Sequence, residues 1–246
     1  MAESSALKRL GNMRKPGSWL IAILEGAQAS EGVGRHDPGF FHPSDFSNVC
    51  DAFLAFRYLG APAVSIIEPK TQRIFDYGNI RESYLREYLR VAGVSLITKP
   101  EDRLIEIPHL HIRGELDDKV QNPLTKEKHI IDYKTMRSDL FEKLEEAVPG
   151  HRLQIHPYMF ATEIYKGFIL YENKNDQSLK AMPTNFDGKI WQEKFVERVE
   201  KILTGLEKNV VYRNPVNCNR CPFFANGVCA SNRIEELKEK SGLKFP

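Results

Sequence analysis

The run Lys128-His129-Ile130-Ile131-Asp132-Tyr133-Lys134-Thr135 decides the fold. Its β-branched and aromatic residues favour an extended strand, in which side chains two apart point to the same face. Asp132 and Lys134 are therefore expected side by side. Upstream, residues 104–117 read as a preceding strand carrying Leu110, Ile112 and Leu116, and Gln121-Asn122-Pro123 supplies a turn between the two. A hairpin of this kind brings Asp117, the last residue of Gly114-Glu115-Leu116-Asp117, beside Asp132. Two carboxylates held that close repel each other and make an oxygen-donor site suited to Mg²⁺ or Mn²⁺. A metal there polarises a phosphate and lowers the pKa of a bound water, while the lysine ammonium orients that water or neutralises developing charge.

Downstream, Gln154 and Tyr158 stand four apart in a stretch with helical character, so they share a face on which an amide and a phenol can hold a phosphate or a base. Pro157 lies between them, removes the hydrogen bond to Leu153 and tends to kink the helix. An isolated D-x-K arises easily on any surface strand. The ordered set of Gly-x-x-Asp, a hydrophobic strand ending in D-x-K, and Gln-x-x-x-Tyr at helical spacing is far more specific.

With these motifs the chain resembles the RecB-type branch of the PD-(D/E)XK nuclease superfamily. Residues 72–175 carry the resemblance, including Gly167-Phe168-Ile169-Leu170-Tyr171-Glu172-Asn173-Lys174, which is similar to a late strand of phage-type members. By position, the resemblance implies Asp117 and Asp132 as metal ligands, the Tyr133 backbone carbonyl as a further ligand, Lys134 as catalytic lysine, and Gln154 with Tyr158 as the substrate-contacting pair. Many relatives carry a metal-binding histidine four residues after an upstream glycine. Counting from Gly78 here reaches Glu82. A carboxylate serves Mg²⁺ or Mn²⁺ equally well as a donor. The alternative is an ordinary solvated residue, on a helix expected over residues 74–92 that also carries Arg81, Arg86, Glu87 and Arg90.

The four cysteines, Cys50, Cys218, Cys221 and Cys229, form a second constellation. No secretory signal is evident, so metal ligation is expected over disulfides. Spacing alone does not choose between Zn²⁺ and an iron–sulfur cluster, and unliganded buried thiols are the third reading. The resemblance favours a [4Fe-4S] cluster, because one early cysteine with a late C-x-x-C and a further cysteine is similar to the arrangement in AddB-type nucleases and CRISPR-adaptation exonucleases. Such a cluster closes most of the chain into one loop and restricts the unfolded state.

Composition bounds the rest. A chain of 246 residues, 41% hydrophobic, can bury a sizeable core. No apolar run reaches membrane-spanning length, the longest being Trp19 to Leu24, so a cytoplasmic protein with no membrane partner is expected, and the resemblance to phage-type members implies a bacterial or phage-infected cell. A formal net charge of +2 excludes a strongly basic nucleic-acid binder, so local clusters such as Arg81, Arg86 and Arg90 must do any steering. Residues 1–15 are polar, and 32–41 read as a loop. Further helices are expected over 18–29, 43–58, 139–147, 150–165 and 187–208, and strands over 167–172 and 178–183.

The expected architecture is α/β, a restriction-endonuclease-like central mixed sheet flanked by helices. An N-terminal helical region (1–71) carries Cys50, a nuclease core spans 72–208, and a cysteine-bearing tail covers 209–246. The resemblance implies a metal-dependent DNA nuclease acting on single-stranded DNA or duplex ends, in replication, recombination or repair. The rival expectations are a catalytically weak nucleic-acid-binding module and a structural component of a recombination or phage replication complex.

Overall fold

The computed structural model describes residues 20–25, 38–63, 68–214, 216, 218–225, 227–231 and 233–244. The polar start (1–15), the loop over 32–37 and both ends of the helix expected over 18–29 lie outside these, whereas 20–25 are helical. Among the described residues no helix is long and apolar enough to cross a membrane.

The expected strand over 104–117 is two strands. Leu104–Ile107 (β1) and Ile112–Glu115 (β2) pair antiparallel as a separate two-stranded sheet. Pro108 opens a 3-10 turn between them, and His111 (φ 52°) turns the chain through the left-handed region. Proline lacks the N–H that a continuous ladder needs, which is why the strand breaks there. A strand absent from the sequence reading, Asp118–Gln121 (β3), then forms the hairpin with Lys128–Met136 (β4), in the register Asp118 to Ile131.

The main sheet is mixed, in the order β3-β4-β5-β6. Lys166–Asn173 (β5) runs parallel to β4 with Asp132 opposite Ile169, and Leu179–Asn185 (β6) returns antiparallel. The β4 strand is buried on both faces, Ile130 and Asp132 on one and Ile131 and Tyr133 on the other, as suits a central strand next to a parallel neighbour.

Two helices frame this strand. Pro69–Val91 (α2 in chain order, after Asp51–Tyr58, α1) starts earlier than residue 74, because Pro69 is preorganised for a first helical turn, and Gly93 (φ 71°) follows its end. It lies against β4, with Leu89 and Ile131 lining one hollow. Pro149–Thr162 (α3) also begins on a proline and continues through Pro157. Its Ile155, Tyr158 and Met159 pack on Ile130, Ile169 and Tyr171. Gly167 of β5 permits that approach, since a Cβ there would stand 2.5 Å from the Ile130 carbonyl and 2.9 Å from Met159 Cε.

A second, aromatic core joins the N-terminal and C-terminal parts. Phe41, Phe46 and Phe56 pack with Trp191, Phe195 and Phe223, and Phe46 meets Phe195 at 4.6 Å between ring centres. Such ring pairs contribute about 0.5–1.5 kcal/mol each beyond their buried area. Arg198, in Glu197–Glu207 (α4), ties the two parts with hydrogen bonds to Asp51 and to the carbonyls of Phe46 and Asn48. Those two carbonyls are drawn off by Arg198, so the helix expected over 43–58 is interrupted: a 3-10 turn, Pro43–Ser47, precedes α1. Likewise the helix expected over 139–147 is a single turn, Ser138–Phe141, after which Lys180 Nζ takes the carbonyls of Phe141, Glu142 and Leu144.

Candidate metal-dependent active site

The strand alternation that pairs Asp132 with Lys134 holds in space: Lys134 Nζ donates to Asp132 Oδ1 at 2.9 Å and lies 2.8 Å from Oδ2. Asp117 sits between β2 and β3, one residue before the first hairpin register pair, and its Oδ2 accepts the Tyr133 N–H at 2.7 Å. Its neighbour Asp118 turns the other way and accepts from Ser95 and its own strand backbone, so only the first acid of the Asp117-Asp118 pair reaches the centre. Gly114 of the same motif is required sterically. A Cβ there would meet Pro43 Cδ at 2.8 Å and Tyr158 Cε1 at 3.4 Å.

Asp117 and Lys134 open onto a cleft of about 510 Å³ whose walls also include Glu82, Gln154, Glu172 and Lys174, while Asp132 is buried beside them. The electrostatics are those of crowded acids. Burial pushes Asp132 up to about 7, opposed by Lys134 and reinforced by Asp117 and Glu82. Burial also raises Asp117, against the pull of Lys134 and the Tyr133 N–H. Lys134 is held above the ordinary lysine range: burial works against its charge, but Asp132 and Asp117 outweigh that. Lys134 Nζ stands within 2.9 Å of both Asp132 oxygens and is the one hydrogen-bond donor to that carboxylate among the described residues, which leaves the crowding of Asp132 with Asp117 and Glu82 for a divalent cation to relieve.

Glu82 lies in the cleft and not on the solvated face of α2. Burial and Asp117 raise its pKa. Its Oε1 is engaged by Arg86, one turn on, and by Arg103 at 2.8 Å. Gln154 lines the cleft, whereas Tyr158 is buried in the core beneath it and hydrogen bonds to Gln154. The pair therefore presents one amide whose orientation the phenol sets.

Sequence reasoning named Arg81 as a steering cation but missed its partner Glu172, and it missed Arg103 and His151 altogether. Arg81 and the buried Glu172 form a two-point ion pair across 91 positions, and no local pattern announces it. Arg103, which holds Glu82 and the Leu116 carbonyl, is equally remote. His151 was findable, since it precedes Gln154 by three on the same helical face. Its Nδ1 meets the Tyr171 hydroxyl at 2.9 Å, and burial with Lys134 nearby lowers its pKa to about 4, so it is neutral.

The four cysteines, all half-buried and free, line one cavity of about 470 Å³ together with Phe53 and Phe56 of α1. Cys50 is placed at the start of α1, where its N–H donates to Asn48 Oδ1. The tail folds back onto α1 through the Ala52 N–H, which donates to the Tyr212 carbonyl, and Arg213 donates to the Cys229 carbonyl within the tail. Among the described residues no three Cys, His, Asp or Glu side chains stand as a ready-made metal-binding group. The donor sets nonetheless fit their candidates in kind: crowded buried carboxylates for a hard divalent ion, and thiols alone for a soft centre.

No protein-family model and no curated protein sequence matches this chain. Solved structures do. An alkaline exonuclease (LHK-Exo) from Laribacter hongkongensis is 16% identical, with a TM-score of 0.52 over 89% of this chain and 97% of that one. LHK-Exo in complex with dAMP is 18% identical, with the same TM-score over 89% and 98%. At these identities the likeness is one of architecture, and the chain accordingly has the restriction-endonuclease-like mixed sheet of those structures along nearly their whole length.

Proposed function

We propose that this protein is a Mg²⁺- or Mn²⁺-dependent deoxyribonuclease, an exonuclease working on single-stranded DNA or duplex ends. One observation carries the reading: Asp117 and Lys134 line an open cleft, and Asp132 lies buried beside them, paired with Lys134 and crowded by Asp117 and Glu82 in a way that a divalent cation would relieve. Asp117, Asp132 and the Tyr133 carbonyl would hold the ion, with Glu82 completing the set if it leaves Arg86 or Arg103. When bound, the ion polarises the phosphate and lowers the pKa of a coordinated water. Lys134 holds its proton and offers an N–H to the attacking oxygen or to the charge gathering on the phosphate. Gln154, set by Tyr158, has an amide with which to hold a phosphate oxygen or base edge.

The end preference is in line with the fold likeness to an exonuclease and with a cleft closed on one side by α2. It is tested with end-labelled single-stranded, duplex and covalently closed circular DNA in Mg²⁺ and in Mn²⁺. Cleavage of both linear forms with circles left intact is expected. Nicking of circles would make the enzyme an endonuclease, and inertness towards all three would sink the assignment. The engagement of Glu82 by two arginines favours one second reading, a catalytically weak nucleic-acid-binding module of a replication or recombination complex, which binds the same substrates without cutting them.

We further infer a [4Fe-4S] cluster on Cys50, Cys218, Cys221 and Cys229, supported by their shared cavity, with Zn²⁺ as the alternative. Protein purified without oxygen should be brown and carry iron and sulfide in near-equal amounts. Cys50→Ser should lower both cluster content and soluble yield, because it cuts the link between α1 and the tail. Colourless protein with stoichiometric zinc would replace the cluster by the alternative, and metal-free protein of full stability would remove both.

A further inference from the structure

The outer wall of the cleft contains a cation that the nuclease chemistry leaves unused. Arg81 Nε and Nη2 donate to the two oxygens of Glu172 at 3.0 and 2.5 Å, and its guanidinium carbon stands 4.8 Å from the Tyr84 ring centre. Glu172 is 1% exposed, while the Arg81 side chain is 19% exposed and lines the cleft. The carboxylate is thus buried as an anchor and the guanidinium is pinned in one orientation at the cleft surface. Its Nη1 has no protein acceptor among the hydrogen bonds of the described residues. Lys174, two residues beyond Glu172, lines the same cleft, and its ammonium is 6.0 Å from the Tyr77 ring.

A buried ion pair contributes little net stability, so its retention beside a cleft calls for a role in specificity or placement. A guanidinium with a free N–H edge is suited to a phosphodiester, and an ammonium nearby adds a second point charge. The charge balance agrees. The three acids of the centre and Glu172 face Lys134, Arg86, Arg103, Arg81 and Lys174, so a divalent ion leaves the cleft clearly positive.

We propose that Arg81, fixed by Glu172 and Tyr84, forms with Lys174 a second phosphate subsite, which takes a backbone phosphodiester flanking the one placed at Asp132. The proposal rests on the nuclease reading of the cleft. Beyond this subsite α2 exposes Tyr84 and Tyr88, whose rings provide faces for bases of the same strand.

The test is binding of fluorescein-labelled oligothymidylate of about 20 nucleotides, followed by anisotropy against salt, with Ca²⁺ in place of Mg²⁺. Lys174→Met and the double variant Arg81→Met/Glu172→Met, which removes the pair together and strands no buried charge, are compared with the wild type. Lys166→Met, whose partner Glu127 lies outside the cleft, is the control. Each subsite variant should bind about 5–20-fold more weakly and lose about 0.7 from the slope of log K against log salt, the loss expected for one phosphate contact on a single strand. The control should keep both values. Wild-type affinity and slope in both subsite variants would overturn the proposal. Failure of the nuclease reading is distinct, because it would appear in the wild type, as an oligonucleotide bound but left uncut when Mn²⁺ is supplied.

Discussion

Asp132→Asn should reduce DNA cleavage by about 10³-fold or more while making the metal-free protein more stable. The activity loss follows from removing the carboxylate that would bind the ion, at a cost of about 4 kcal/mol in barrier. The gain in stability follows from the acid's environment. Its folded pKa is raised to about 7, so between about pH 4 and pH 7 the folded state holds a proton that the unfolded chain has released. Stability from this group is present at low pH and is lost as pH rises through 7. The wild type without metal should therefore melt at falling temperature across that window, and Asp132→Asn should not share this component. The two proteins should melt alike near pH 4, diverge progressively between about pH 4 and pH 7 and keep a constant gap above that, each 1 kcal/mol appearing as about 2–4 °C in Tm. Saturating Mn²⁺ should restore the wild type and leave the variant unmoved. Equal cleavage by both proteins would remove Asp132 from the chemistry, and parallel melting curves would remove the buried charge.

Lys134→Met should slow cleavage by about 10²–10³-fold at saturating metal, the range for losing one preorganised donor to transition-state charge. Binding of Mn²⁺ should be unchanged or tighter, because the ammonium now 2.8 Å from Asp132 repels a cation at the same carboxylate. The loss should fall on kcat more than on KM, since the group is required for charge that develops during reaction. Melting in Mn²⁺ reports whether the variant is folded, because without metal Asp117 and Asp132 face each other with less compensation. A Lys134→Met enzyme of wild-type kcat would assign the ammonium a purely structural part.

Much of this centre was legible because its geometry is local. Strand alternation sets Asp132 beside Lys134 whatever surrounds them, a hairpin makes Asp117 a neighbour of Asp132, and helical spacing places Gln154 above Tyr158. The hairpin between β5 and β6 is of the same kind. Where local reading failed, a distant partner had intervened. Arg198 takes carbonyls from the segment over 43–58, and Lys180 stops the helix begun at Ser138.

The sequence by itself therefore determined the chemical parts of the site, the mixed α/β architecture and the side of each element on which those parts stand, because backbone periodicity acts over two to four residues. Only the tertiary structure decided how the parts are charged and held. Glu82 is drawn from a solvated helix face into the cleft by Arg103, and Arg81 is fixed by a glutamate 91 positions away. Tyr158 is sunk into the core, and four cysteines from both ends of the described chain share one cavity. Burial and long-range ion pairing set these outcomes, and both depend on which surfaces meet when the helices close on the sheet.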